Sequence, residues 1–180
     1  MIKALIEMAF AATARYRETA DEAFRPKLLP PEPFSKGIPT LQAGVYRPVS
    51  PMLKERFELC GRWTVASHGD WLSAADMESL WSEAATAADA LLYGIKQSQI
   101  AAAEGWPNEA STLFRPERLS FFAGSDHSYE RIYLLWIEYE DEPELWVYDA
   151  NGESRYRDLS AYLQAYLTED VSAASQSWRA

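Results

Sequence analysis

Cysteine and histidine are almost missing from this 180-residue chain. A lone Cys60 excludes an intramolecular disulfide framework and any multi-cysteine zinc site, and it fits a reducing compartment. His68 and His127 are the two imidazoles, and together with Cys60 their spacing matches no familiar zinc pattern. Basic residues are also in short supply. Seventeen Lys and Arg against 27 Asp and Glu give a net charge of -10, so phosphate backbones are repelled and nucleic-acid binding is disfavoured. No run approaches the roughly 18 apolar residues of a membrane span. The apolar start from Ala4 to Ala14 is interrupted by Glu7 and runs on into Arg15 and Arg17, which argues against a secretory leader and leaves the cytoplasm as the expected location. Phosphate-cradling glycine motifs, internal repeats and low-complexity blocks are missing too.

What the chain does have is core material. With 48% hydrophobic and 24% charged residues, and seven Trp, ten Tyr and seven Phe, the composition is globular and enough for one core. A domain of this length buries roughly 70% of its unfolded surface. The charge is uneven: residues 117 to 170 hold 4 Lys or Arg and 13 Asp or Glu, net -9, which leaves -1 elsewhere. An acidic face therefore belongs to the C-terminal half.

Along the chain, Ile2, Leu5, Ile6, Ala9 and Phe10 share one helical face, which predicts a helix over about 2–22. It can pack on its own domain or serve as a docking or dimerisation helix, and the first reading is favoured. From Pro26 to Pro51 the chain carries seven of its ten prolines, which predicts an extended arm with few regular hydrogen-bond ladders, wrapping the core or binding a partner. Ser50-Pro51 reads as an N-cap followed by proline at the first helical position, with Gly61 closing that helix in a left-handed conformation. Trp63 to Ala66 predicts a strand. Ser73 with Asp76 resembles a capping box opening a helix that runs to about Ala103, and residues 106–117 read as a loop.

The stretch from Leu119 to Leu167 organises the rest. Leu119 to Phe122 is a short apolar strand, Gly124 to Arg131 a polar turn, and Ile132 to Tyr139 a long strand of β-branched and aromatic residues. Leu145 to Tyr148 follows across an acidic loop, and Asp149-Ala-Asn151-Gly152 supplies a tight turn. Leu159, Tyr162, Leu163, Tyr166 and Leu167 then fall on one helical face behind Asp158, a good N-cap.

Catalytic constellations are hard to find. Asp126-His127-Ser128 has the residue types of a nucleophilic triad, but triads assemble from distant positions, and neighbours rarely aim three side chains at one point. The carboxylates Glu138, Glu140, Asp141, Glu142 and Glu144 crowd a strand end and its loop, where water screens them. This loop has two readings. Either its charges protect a sheet edge from other chains, or they form an electrostatic target for a basic partner, with Tyr139, Trp146 and Tyr148 as aromatic anchors.

The order of Gly124-Ser-Asp turn, apolar strand, Trp146-Val-Tyr-Asp149, Asn151-Gly152 turn and Leu159-Ser-Ala-Tyr-Leu163 helix resembles the C-terminal half of the SUKH superfamily, which takes in bacterial immunity proteins and fungal Smi/Knr cell-wall regulators. Leu53 to Gly61 and Leu72 to Leu80 are similar to its short glycine-ended helix and its second helix, so the resemblance spans roughly Ser50 to Leu167. It implies an α+β fold: a small antiparallel sheet flanked by helices, here with an added N-terminal helix and proline-rich arm. The expected organisation is a single domain, with residues 1–49 as helix and arm, 50–167 as core and 168–180 as tail. The resemblance further implies a non-catalytic protein that binds and neutralises a toxin, with no cofactor or metal, a basic toxin such as a nuclease suiting the acidic surface. The expected partner-binding residues are Glu138, Tyr139, Glu140, Asp141, Glu142, Glu144 and Trp146. The alternatives are a regulatory scaffold of the same superfamily and a small hydrolase using Asp126 and His127. Ser128 to Arg131 departs from the glycine-rich continuation of the family, so the identity of the partner does not carry over.

Overall fold

A computed structural model describes residues 1–33, 36–79, 115–125, 128, 130–149 and 152–169. Its centre is a seven-stranded antiparallel sheet ordered β1-β4-β5-β6-β7-β8-β9, with a separate two-stranded ladder β2-β3. The strands are β1 (Lys27–Leu28), β2 (Ile38–Pro39), β3 (Tyr46–Arg47), β4 (Trp63–Ala66), β5 (Gly69–Trp71), β6 (Leu119–Gly124), β7 (Arg131–Leu135), β8 (Glu144–Asp149) and β9 (Gly152–Tyr156). Among the described residues the α-helices are α1 (Ile2–Ala12), α2 (Ala14–Thr19), α3 (Pro51–Leu59), α4 (Ala74–Ser79) and α5 (Leu159–Thr168), with single 3-10 turns at Glu22–Phe24 and Pro116–Arg118. From β4 onward each strand pairs with the next in sequence, so three hairpin turns gather at one end of the sheet and the acidic loop lies at the other.

Local chemistry fixes several boundaries. The Ser50 hydroxyl accepts from the Leu53 amide and Pro51 opens α3; Ser73 and Asp76 accept reciprocally from each other's amides; and Asp158 Oδ1 accepts from the Ala161 amide to start α5. The N-terminal helix is shorter than its periodicity predicts, because it breaks at Thr13, whose hydroxyl turns back onto the Phe10 carbonyl. The proline-rich segment also differs from expectation. Leu28 pairs with Trp63, Ile38 with Arg47, and the Gly61 amide donates to the Leu29 and Pro30 carbonyls. Gly61 is not left-handed, since α3 ends on an extended Cys60; glycine is needed there because a Cβ would stand 2.5 Å from the Pro30 carbonyl oxygen. β9 has no counterpart in the sequence reading, and β7 stops at Leu135, short of Tyr139. The long helix expected after Ser73 lies outside the described residues beyond Ser79, as do Asn151 and the tail after Glu169.

Both faces of the central strands are buried. On one, Leu134, Leu145 and Tyr156 stand in register, and Tyr156 meets Tyr162 of α5 edge to face. That face continues through Trp63, Trp71 and Phe122, with ring centroids about 5 Å apart, into Ile2, Ile6, Leu53 and Phe57 of α1 and α3. On the other face Phe121, Tyr133, Trp146 and Arg155 form a row across four strands, all buried. α1 packs between α3 and α5, so its first apolar face is spent on its own chain.

Beneath α3 sits Arg56, fully buried and, among the described residues, in no ion pair with a carboxylate. Its guanidinium donates to the carbonyls of Cys60, Gly61 and Leu72 and lies 4.2 Å from the centroid of the Phe57 ring. Burial pulls its pKa down to about 10, which leaves it charged at neutral pH. One side chain thus ties the end of α3 to the strand that follows and to the exit of β5.

Candidate partner-binding surface

The acidic loop between β7 and β8 is held at three points. Trp136 donates through Nε1 to Ser120 Oγ at 2.9 Å and through its amide to the Arg118 carbonyl at 2.8 Å. Glu138 accepts from Arg118 Nη2 at 2.7 Å. Glu142 Oε1 accepts from the Met52 amide at 2.8 Å, placing a carboxylate on the unsatisfied first turn of α3, where the helix end favours negative charge. Between these tethers the chain turns over, with the Glu140 amide facing the Ile137 carbonyl, and Tyr139 takes φ +71°. That position of a turn normally falls to glycine or asparagine, so a tyrosine there is strained by about 1 kcal/mol. Its ring is fully exposed.

The seven expected partner residues divide accordingly. Glu138, Tyr139, Glu140 and Asp141 lie on the surface. Glu142 is half-buried and committed to α3. Glu144 and Trp146 are inside, and the exposed position expected for them beside the acidic loop is corrected here: Glu144 forms a buried ion pair with Arg155, and the Trp146 ring lies tilted 5.4 Å from that of Tyr133 at 2% exposure. The reason is the second buried face of the sheet, which strand alternation by itself does not announce. Tyr139 is the exposed aromatic side chain of the loop.

A second cluster, at the hairpin-turn end, is one the sequence reading missed. His68 sits in the β4–β5 turn at φ +55°, with Nδ1 2.6 Å from Tyr162 Oη and Nε2 3.3 Å from Asp149 Oδ2. Tyr162 Oη lies 2.7 Å from Ser67 Oγ, which also accepts from Trp71 Nε1 at 3.2 Å. The Tyr162 hydroxyl donates to Ser67 Oγ, so its oxygen is left to accept from His68 Nδ1, and Trp71, Ser67, Tyr162, His68 and Asp149 form one connected chain. Burial raises the Tyr162 hydroxyl well above its ordinary pKa, partly opposed by its bond to Ser67. Ser67 and Tyr162 are closed to solvent, so no substrate reaches the two hydroxyls; the chain locks α5 onto the turn. Spacing gives no hint of it, because its members come from residues 67–68, 149 and 162. Asp126 and His127 fall outside the described residues, and nearby Ser128 Oγ donates to Glu130 Oε2 within the turn.

No family model, curated protein or solved structure matches this chain. The reading of its surface therefore rests on its own geometry. Among the described residues, no three His, Cys, Asp or Glu side chains converge as metal ligands, and no helix is long and apolar enough to cross a membrane. The proline-rich arm and α3 frame a groove of about 400 Å³, floored by Pro31, Pro33, Val49 and Phe57 and rimmed by Glu32, Lys54 and Glu58.

Proposed function

We propose that this chain is a non-catalytic protein-binding module and, from the resemblance of Ser50 to Leu167 to the SUKH superfamily, a cytoplasmic bacterial immunity protein that grips a basic toxin such as a nuclease. The observation that carries the reading is Tyr139: a fully exposed ring on a strained turn, beside Glu138, Glu140 and Asp141, on a loop tethered at both ends. An aromatic anchor ringed by like charges on a pre-ordered loop is what a basic surface can grip without ordering the loop first. Most of the excess negative charge lies in the same half of the chain, so the field that steers a basic partner points the same way.

The test is co-purification of the tagged protein from its native cell, with mass spectrometry of what stays bound, followed by association kinetics of the purified pair. Reversal of Glu140 and Asp141 to lysine is expected to slow association by tens of fold at low salt and much less at high salt. Unchanged rates at low salt remove this loop from the binding site. A bound partner with no toxicity assigns the regulatory-scaffold reading instead.

A further inference from the structure

We draw no further inference here: the strongest candidate, the part-buried cluster of His68, Asp149, Tyr162 and Ser67 at the hairpin-turn end of the sheet, belongs to the lock between α5 and the β4–β5 turn already described, and its two hydroxyls are closed to solvent.

Discussion

Arg56 offers the sharpest test of how the fold is held. Lowering its pKa from 12.5 to about 10 amounts to a penalty of about 3 kcal/mol on the buried charge, at about 1.4 kcal/mol per unit. Against that stand three hydrogen bonds of 2.8 to 3.1 Å to buried carbonyls, each worth about 1.5–3 kcal/mol from a charged donor. The charge stays disfavoured by burial, but the carbonyls it satisfies would otherwise lack a donor, and that loss is what a substitution exposes. Arg56→Ala strips the donor from the carbonyls of Cys60, Gly61 and Leu72 and leaves a hole beside Phe57 and Phe122. The expected loss is about 4 kcal/mol, a large share of the 5–15 kcal/mol that holds a domain together. Arg56→Met refills the volume and removes the desolvated charge but leaves the carbonyls bare, so it should lose about half as much. Urea unfolding followed by tryptophan fluorescence measures both, since Trp71 lies 4.8 Å from the Phe122 ring that the guanidinium faces. An alanine variant within about 1 kcal/mol of wild type refutes the reasoning, because water or a neighbour would then be satisfying the carbonyls.

Other substitutions probe the sheet and its buried groups. Gly69→Ala places a Cβ 2.2 Å from the Gly124 carbonyl at φ +94°, and it should lower the melting temperature by about 6–10 °C. Gly44→Ala, at φ +78° in open space, should lower it by about 2–4 °C, and equal effects would argue against the strand contact. Glu144→Gln leaves the Arg155 guanidinium buried beside a neutral amide, with an expected loss of about 3 kcal/mol in chemical denaturation, where a loss near zero would place the pair in water. Tyr133 and Tyr162 hold their protons more tightly when folded than when unfolded, because burial disfavours the phenolate. The stability this contributes is complete below pH 10 and is lost as the pH climbs above it. Tyrosinate absorbance from these residues should therefore appear together with unfolding; reversible ionisation of all ten tyrosines in the folded protein near pH 10 would contradict it.

The helix starts were legible because each is set by one or two residues acting locally: Ser50 with Pro51, Ser73 with Asp76, and Asp158. The central strands were legible from their apolar, β-branched and aromatic content. The rest was decided at a distance. Lys27 and Leu28 become a strand because Thr64 and Trp63 pair with them, and nothing inside a proline-rich segment announces that. Trp146 reads as surface or core with equal ease until Tyr133 and Arg155 are known to flank it. The acidic loop itself was visible in the sequence, but the tether that turns Glu142 inward toward α3 links residues 90 positions apart.

The single thiol has a practical consequence. Cys60 is buried at the end of α3, next to the carbonyls that Arg56 binds, and burial raises its pKa, so the reactive thiolate is scarce in the closed protein. Modification must wait for the joint between α3 and β4 to open, and when reclosing outpaces reaction the labelling rate reads out the free energy of that opening. The chain carries its own gauge of local breathing, placed at the joint that Arg56 clamps.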